Sequence, residues 1–235
     1  MKPSVSIIIP AWNEAGQIDQ TLQSLRSVPV HRFPGCISGL EIIVVDDGSW
    51  DETYEIASLY ADIIIRHAYN KGKGAALAAG SAQAKGDILV FLDADLKDTA
   101  VYAFRLVQPV AEGKADMTIA VLPPSNKKAG FGLVKRLAKY GIHKLSGYHA
   151  VSPLSGQRAL RREIMEQIGC PGRGFGVEVG LTIDTVRKGY RIMEMPVPFQ
   201  HRETGRDLRG FYHRGKQMAA VAGTLYKKWR EPSCP

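Results

Sequence analysis

Short runs of apolar residues alternate with helix-length segments over the first half of this 235-residue chain. The apolar runs are continuous and rich in Val and Ile, and they cover residues 5–9, 41–45, 62–66 and 87–92. Segments with helical character lie between them, at about residues 14–27, 51–60 and 73–85. Continuous apolar strands separated by helices are typical of a parallel sheet that is covered on both faces. We therefore expect an α/β fold with a mostly parallel central sheet flanked by helices.

Polar and glycine-rich residues follow each of these four strands. The clusters are Pro10-Ala11-Trp12-Asn13-Glu14, Asp46-Asp47-Gly48-Ser49, Asn70-Lys71-Gly72-Lys73-Gly74 and Asp93-Ala94-Asp95. In open α/β sheets, ligands bind outside the carboxyl ends of the strands. The four clusters therefore predict one shared site at that edge of the sheet.

The pair Asp93 and Asp95 predicts a metal site within this cluster. Residues two apart in an extended segment point to the same side, so both carboxylates can face one point beyond the strand. They repel each other unless a cation lies between them, and carboxylate oxygens favour Mg²⁺ or Mn²⁺. The alternative is a polar strand end at which Asp95 caps the next helix. The three other polar strand ends favour the metal site.

The second half of the chain has a less regular pattern. Strands are predicted at residues 116–121 and 190–197, and helices at residues 131–146, 158–168, 177–188 and 211–230. Four glycines lie within residues 169–176, which predicts a tightly turned or mobile loop. Neither a repeat nor a linker is evident. We expect a single domain over residues 1–235 that ends in a helix.

Charge is distributed unevenly along the chain, whose formal net charge is +8. Residues 1–118 carry 10 Lys and Arg against 15 Asp and Glu, whereas residues 119–235 carry 21 against 8. A basic second half indicates an anionic partner, such as a phosphorylated substrate, an acidic membrane surface or nucleic acid; a solvated basic surface is the alternative. The sequence lacks a nucleic-acid-binding motif and an aromatic platform among the basic residues, so we expect no nucleic-acid partner.

The cysteines and the apolar segments indicate a cellular compartment. Cys36, Cys170 and Cys234 have no CxxC spacing, which suits a reducing environment. No segment has the length of a signal core or of a membrane helix. We expect a cytoplasmic protein, and the sequence leaves open a peripheral contact with the inner face of the membrane and a homodimer.

The four strand-end motifs, in this order and spacing, resemble glycosyltransferase family 2, whose members have the GT-A fold. The matching segments are residues 5–14, 45–49, 70–77 and 86–95. The resemblance implies a UDP- or GDP-sugar donor, UDP foremost, bound in residues 1–118, and an acceptor bound in residues 119–235. It also implies that Asp93 and Asp95 hold the Mg²⁺ or Mn²⁺ that bridges the diphosphate, with Asp95 as a catalytic residue. The donor-binding residues by resemblance are Pro10, Ala11, Asn13, Glu14, Asp47, Lys73, Asp93 and Ala94.

Part of the second half is similar to the glucosyl-3-phosphoglycerate synthase branch of these enzymes. The similar segments are residues 153–158, 174–181 and 183–184. That branch has a histidine after its late strand, so the resemblance implies His201 as a third metal ligand. Polyprenyl-phosphate glycosyltransferases share the nucleotide motifs, and residues 201–207 match neither group.

Polar and basic residues of the second half are candidates for acceptor binding. Ser155, Gly156 and Arg158 form one candidate wall, and an arginine fork suits a phosphate or carboxylate. Arg202 and Arg206 are candidates for holding the donor diphosphate or an acceptor phosphate. For each arginine, a solvated side chain is the alternative.

Glu178 is the candidate catalytic carboxylate of the second half. An inverting transferase needs a base to accept the acceptor's proton, and Glu178 follows the glycine-rich loop at the start of a predicted helix. A retaining enzyme needs no base, and Glu178 would then position a sugar or acceptor hydroxyl. An acceptor that is itself a phosphate has an ionised oxygen and also needs no base. A carboxylate favoured by the helix dipole is the structural alternative.

The final predicted helix carries apolar residues on one stripe and several basic residues. The stripe consists of Phe211, Met218, Ala222, Leu225 and Trp229. The helix either docks on the domain, which we favour, or lies on an anionic membrane. The resemblance, together with the basic second half, implies a metal-dependent transferase that moves a hexose, glucose foremost, from a UDP-sugar to a phosphate-bearing small acceptor such as 3-phosphoglycerate. The main alternative is a polyprenyl-phosphate glycosyltransferase at the membrane surface.

Overall fold

The computed structural model describes residues 2–27, 37–123, 132–169, 176–200 and 208–231, with the backbone alone for residues 208–214. The strands are β1 (Ser4–Ala11), β2 (Gly39–Asp46), β3 (Ile63–Arg66), β4 (Ile88–Phe91), β5 (Met117–Val121), β6 (Arg158–Arg161) and β7 (Ile192–Pro196). The helices are α1 (Ala15–Arg26), α2 (Thr53–Ser58), α3 (Lys73–Gln83), α4 (Ala103–Ala111), α5 (Leu133–Ser146), α6 (Arg162–Ile168), α7 (Val177–Arg187) and α8 (Leu208–Arg230). A 3₁₀ helix covers Lys97–Tyr102.

The seven strands form one sheet in the order β3-β2-β1-β4-β6-β5-β7. All neighbouring pairs are parallel except those of β6, which runs antiparallel to both β4 and β5. The predicted α/β fold with a mostly parallel sheet and a C-terminal helix is confirmed.

Both faces of the sheet are buried, which explains why the strand sequences are continuously apolar. On β1, Ile7 and Ile9 belong to the apolar cluster under α1 and α4, whereas Ile8 belongs to the cluster under α3, α6 and α7. Gly80 lets α3 lie close to the sheet, because a Cβ there would come within 2.5 Å of the Ile8 side chain. A third apolar cluster joins α5, α7 and α8.

One predicted helix is corrected by the structure. Residues 158–168 were expected to be helical throughout, but residues 158–161 form β6 and only residues 162–168 form α6. A four-residue apolar run is ambiguous by periodicity, since a fully buried strand shows no alternation. Here Ala159 and Leu160 are both fully buried, because the strand lies inside the sheet.

Among the described residues, none of the helices combines the length and the hydropathy that crossing a bilayer requires.

Candidate active site

The predicted strand ends meet at one edge of the sheet. β1 and β2 are in register up to the pair Ala11 and Asp46, and β4 lies on the other side of β1. The N–H of Asp47 donates to the Ala11 carbonyl over 2.8 Å, so the pairing of β1 with β2 extends to the first residue after β2. Pro10 and Ala11, the predicted donor-binding residues of β1, therefore lie beside the loops that follow β2 and β4.

Asp47 organises the loop that precedes α3. Its Oδ1 lies 2.7 Å from Nδ1 of His67 and accepts the N–H of Lys71 over 2.9 Å, and its Oδ2 accepts the N–H of Gly72 over 2.7 Å. The carboxylate is 3% exposed. Asp47 thus positions the loop that carries Lys73, a role that sequence reasoning did not identify, and its contact with a nucleoside stays a prediction.

Asn13 ties the loop after β1 to the loop after β2. Its backbone lies in the left-handed region, with φ of 56°. Its N–H donates to Ser49 Oγ over 2.9 Å, and its Oδ1 accepts the N–H of Trp50 over 3.1 Å. The N–H of Glu14 donates to Thr53 Oγ1 over 2.8 Å. The two donor-side loops therefore form one connected unit.

A cleft of about 300 Å³ lies beside this unit. It is lined by Gly48, Ser49, Arg66, His67 and Ala68, at the carboxyl ends of β2 and β3. Gly48 is required at the turn, because its φ is 76° and a Cβ would overlap the backbone of Tyr69. The cleft occupies the edge of the sheet at which the sequence predicts a ligand.

Lys73, Asp93 and Glu178 form a charged cluster between the two halves of the chain. The Lys73 ammonium lies 2.7 Å from Asp93 Oδ1 and 3.1 Å from Glu178 Oε1. Burial alone would lower the pKa of Lys73, but the two carboxylates outweigh it and raise the pKa above its ordinary value. Lys73 is therefore a permanent cation at neutral pH. The structure brings these three predicted site residues together.

Gln157 and Gly156 complete the surroundings of Asp93. Gln157 Nε2 donates to Asp93 Oδ2 over 2.5 Å, and the Gln157 side chain is 1% exposed. A Cβ on Gly156 would overlap the Lys73 ammonium and lie 3.2 Å from Asp93 Oδ1. Ser155 Oγ in turn donates to Gln157 Oε1 over 3.3 Å. Ser155 and Gly156, predicted as acceptor contacts, thus lie against the predicted donor side of the site.

Sequence reasoning missed Gln157 because the residues that follow it, 158–168, were predicted to form a helix, whereas residues 158–161 form β6. The antiparallel register pairs Phe91 with Arg158, so Gln157 lies just beyond the carboxyl end of β4, next to Asp93. The signal that could have revealed it was an antiparallel strand at residues 158–161.

Arg158 is inside the domain, which corrects the prediction that it binds an acceptor. It is 1% exposed; its Nε donates to the Ser155 carbonyl and its Nη1 to Thr182 Oγ1, each over 2.9 Å. Burial lowers its pKa to about 10, against the opposing effect of Glu178 and Glu194, so the guanidinium stays charged at neutral pH. Because Thr182 Oγ1 also donates to the Glu178 carbonyl, Arg158 supports the turn of α7 that carries Glu178.

Glu194 of β7 holds the loop that leads into Ser155. Its carboxylate accepts the N–H groups of Val151 and Ser152 over 2.7 and 2.6 Å and the hydroxyl of Tyr148 over 3.1 Å. Burial, with the nearby Glu194 charge, raises the pKa of Tyr148, so its hydroxyl remains a donor. No pattern in the sequence indicates this anchor.

The residues after β4 suit a divalent cation. The turn is held by Thr21 of α1, whose Oγ1 donates to the Ala94 carbonyl over 2.7 Å and accepts the Lys97 N–H over 2.8 Å. Asp93 and Asp95 are partly exposed on this turn. Mg²⁺ in nucleotide sites takes one or two protein carboxylates and completes its shell with phosphate and water oxygens, so this donor set fits.

Three predicted residues of the second half cannot be placed. His201, Arg202 and Arg206 lie outside the described residues. Within the described ranges, no group of three or more His, Cys, Asp and Glu side chains is arranged to hold a metal. The third protein ligand and the two arginine contacts therefore stay predictions.

Comparisons with known proteins identify related sequences and structures. The model of Glycosyl transferase family 2 matches residues 6–169. A dolichol-phosphate mannosyltransferase of Pyrococcus furiosus is 30% identical over 86% of this chain and 58% of its own length. A glucosyl-3-phosphoglycerate synthase of Mycobacterium tuberculosis is 30% identical over 77% of this chain and 60% of its own length. The chain thus spans less than two thirds of the length of both of these relatives.

A solved structure extends the comparison to almost the whole chain. The crystal structure of glucosyl-3-phosphoglycerate synthase from Mycobacterium tuberculosis in complex with Mn²⁺, UDP-glucose and phosphoglyceric acid covers 98% of this chain and 81% of that chain. Its TM-score is 0.78 and its sequence identity is 26%.

Proposed function

The chain belongs to glycosyl transferase family 2, and we propose that it transfers glucose from UDP-glucose to a small phosphate-bearing acceptor such as 3-phosphoglycerate. In this proposal a divalent metal is bound by Asp93 and Asp95, and the acceptor is bound by the second half of the chain. The observation that carries it is the ion-paired cluster in which Lys73 joins Asp93 of the donor side to Glu178 of the acceptor side.

The donor side is arranged for a leaving diphosphate. Mg²⁺ or Mn²⁺, when bound at the two aspartates, supplies positive charge that stabilises the departing nucleoside diphosphate. Lys73 contributes a second, permanent positive charge beside Asp93. Gln157 holds one oxygen of Asp93, and Gly156 leaves room for the lysine. These groups are held in place before the reaction, which is the condition under which electrostatic stabilisation is most effective.

Glu178 is placed to act on the acceptor. Its side chain is 10% exposed and lies in the first turn of α7, next to Lys73. In an inverting reaction its carboxylate takes the proton of the acceptor hydroxyl; in a retaining reaction it accepts a hydrogen bond from that hydroxyl and orients it. In both cases the group acts directly on the bound acceptor.

Charge supports a phosphate on the acceptor. Residues 119–235 carry 21 Lys and Arg against 8 Asp and Glu. The structurally similar synthase was crystallised with phosphoglyceric acid, whose phosphate and carboxylate are both anionic. A basic acceptor half concentrates such a ligand near the site.

The test is nucleoside diphosphate release in the presence of Mn²⁺. UDP-glucose and GDP-mannose serve as donors, each with 3-phosphoglycerate, with a short-chain polyprenyl phosphate, or with neither. We expect release of UDP only when UDP-glucose and 3-phosphoglycerate are both present, and loss of release in Asp95→Asn. Asp98→Asn, the same substitution on an exposed side chain, is the matched control and should retain activity. A lack of nucleoside diphosphate release with both donors, whichever acceptor is present, would overturn the proposal.

A polyprenyl-phosphate acceptor is the second candidate. The dolichol-phosphate mannosyltransferase relative matches 86% of this chain at 30% identity, more of the chain than the synthase sequence matches. The same assay separates the two candidates. Nucleoside diphosphate release that occurs with the polyprenyl phosphate but not with 3-phosphoglycerate would identify the polyprenyl phosphate as the acceptor.

We also propose a cytoplasmic location for the protein. Light scattering tests whether the chain forms a homodimer.

A further inference from the structure

Among the side chains that the structure describes on α5 and α8, four large apolar ones are exposed. Leu133 and Tyr140 of α5 are 54% and 68% exposed, and Tyr226 and Trp229 of α8 are 58% and 70% exposed. We call these four side chains, with the exposed basic residues of the same two helices, the aromatic–basic face. The basic residues are Lys135, Arg136, His143, Lys144, Lys216, Lys227 and Arg230.

The two helices lie side by side, so their exposed residues border one seam. A Cβ on Gly141 of α5 would overlap the side chain of Leu225 of α8. The Arg187 guanidinium donates to the carbonyls of Leu145 and Lys228, each over 3.0 Å, and so joins the two helices at a second point. Leu145 lies four residues after Gly141 on α5, and Lys228 lies three residues after Leu225 on α8. The helices therefore run in parallel, with Tyr140 and Tyr226 each adjacent to a seam residue.

The inner side of α8 is already occupied. Val221 is fully buried in the cluster shared with α5 and α7, and the Lys228 ammonium lies 2.6 Å from Asp184 of α7. Ala222, Tyr226 and Trp229 follow the i, i+4, i+7 spacing of a different side of the helix and are exposed. Of the stripe predicted from sequence, Leu225 packs on α5, as docking on the domain requires. Ala222 and Trp229 are exposed, which corrects the docking expectation at these two positions.

Charge distinguishes this face from an ordinary apolar patch. The sequences of α5 and α8 contain ten Lys and Arg and no Asp or Glu. Tyr and Trp are the residues enriched at the boundary between headgroups and hydrocarbon, and each basic residue near an anionic leaflet adds attraction. A second copy of this chain would bring a face of the same sign against it, which opposes self-association.

We propose that the aromatic–basic face binds the surface of an anionic lipid bilayer, with Tyr140, Tyr226 and Trp229 at the headgroup boundary and the lysines and arginines on lipid phosphates. The proposal holds for either acceptor class. Gly176, two residues before Glu178, is packed against Ala220 and Thr224 of α8. Binding through α8 would therefore bring the acceptor half of the site close to the membrane.

The experiment uses the full chain and vesicles of stated composition. Cosedimentation is measured with vesicles of phosphatidylcholine containing about 30% phosphatidylglycerol and with vesicles of phosphatidylcholine alone. We expect binding to the anionic vesicles, little binding to the neutral ones, and release as NaCl is raised to about 0.5 M. The double variant Tyr226→Ala/Trp229→Ala should bind at least about 10-fold more weakly. Leu59→Ala removes an exposed apolar side chain that directly follows α2, away from this face, and should bind vesicles like the parent.

Tryptophan fluorescence provides a second readout that does not depend on the stability of a variant. The chain has three tryptophans, and only Trp229 lies on this face. The blue shift on adding anionic vesicles should persist in Trp12→Phe and Trp50→Phe and disappear in Trp229→Phe, which should still sediment. Equal vesicle binding by the parent and the double variant would overturn the proposal. A parent protein that is dimeric in solution and a double variant that is monomeric would also overturn it, because the face would then be an interface between copies of the chain.

Discussion

The ammonium of Lys73 lies 3.1 Å from Oε1 of Glu178. Lys73 begins α3 in the donor half and Glu178 lies in the first turn of α7 in the acceptor half. Because the same ammonium also contacts Asp93, one cation links the proposed metal site to the proposed acceptor site.

Replacing Lys73 removes the central charge of the cluster. We expect Lys73→Met to lower kcat/KM by about 10²-fold or more, as loss of one preorganised electrostatic group does. Lys85→Met, at an exposed lysine beyond the end of α3, should leave kcat/KM unchanged. Steady-state kinetics with UDP-glucose and saturating Mn²⁺ measure both. Equal activity of the two variants would contradict a role for Lys73 in turnover.

The titration of Lys73 should not limit activity near neutral pH. Its pKa is raised above its ordinary value of 10.5, mainly because Asp93 and Glu178 outweigh the effect of burial. A raised folded-state pKa means that the contribution of the charged lysine is complete below 10.5 and is lost only as pH rises through the folded value. We expect Lys73→Met to change the height but not the shape of the kcat/KM profile from about pH 7 to 9. A change of kcat/KM with pH in that range that is present in the wild type and absent from Lys73→Met would show that Lys73 titrates there, contrary to this prediction.

Gly156 has no room for a side chain. A Cβ would overlap the Lys73 ammonium and approach both oxygens of Asp93, at 3.2 and 3.3 Å. We expect Gly156→Ala to lower kcat by about 10-fold to 10²-fold, because a small displacement of catalytic groups is costly. The melting temperature should change little, since the lysine side chain can move away. Gly16→Ala, which meets no atom within 4 Å, is the control. An unimpaired Gly156→Ala enzyme would show that the Lys73–Asp93 geometry is not required.

Asp116 stabilises the far side of the sheet. Hydrogen bonds from Arg191, over 3.0 Å from Nε and 3.1 Å from Nη2, hold the pKa of Asp116 below its usual value despite its burial. The contribution of the ionised carboxylate is therefore present above about pH 4 and lost as pH falls below it. We expect Asp116→Asn to lower the free energy of unfolding by about 1–3 kcal/mol at neutral pH.

Denaturant unfolding at two pH values measures that difference. The gap between wild type and Asp116→Asn should narrow at about pH 3, where the wild-type carboxyl is also losing its charge. Asp98→Asn, on an exposed side chain, should unfold like the wild type at both pH values. A gap that does not depend on pH would assign the effect to packing instead of charge.

The parallel part of the fold and its ligand edge follow directly from the sequence. Continuous Val and Ile runs require a sheet buried on both faces, and a parallel arrangement brings Asp47 and Asp93 to one edge. No local sequence pattern predicts which residues hold the loops at this edge in place. His67, Thr21 and Glu194 act through contacts distant in sequence.

The acceptor side was harder to predict because it depends on one short strand. The four residues of β6 are too few to show a period, and without that strand Gln157 has no predicted neighbour. The same strand turns the Arg158 side chain inward, where it donates to Ser155 and Thr182. An arginine in a basic region of the sequence is normally expected to face solvent or an anion, so its burial was not predicted.

Calorimetric titration with UDP, with and without Mn²⁺, tests the proposed metal site at Asp93 and Asp95 and requires no knowledge of the acceptor. We expect UDP to bind at least about 10-fold more tightly with Mn²⁺ than with EDTA. Asp95→Asn should abolish this dependence on the metal, whereas Asp98→Asn should keep it. Equally tight binding of UDP with and without the metal, or a metal dependence that survives in Asp95→Asn, would show that the two aspartates do not hold a metal for the nucleotide.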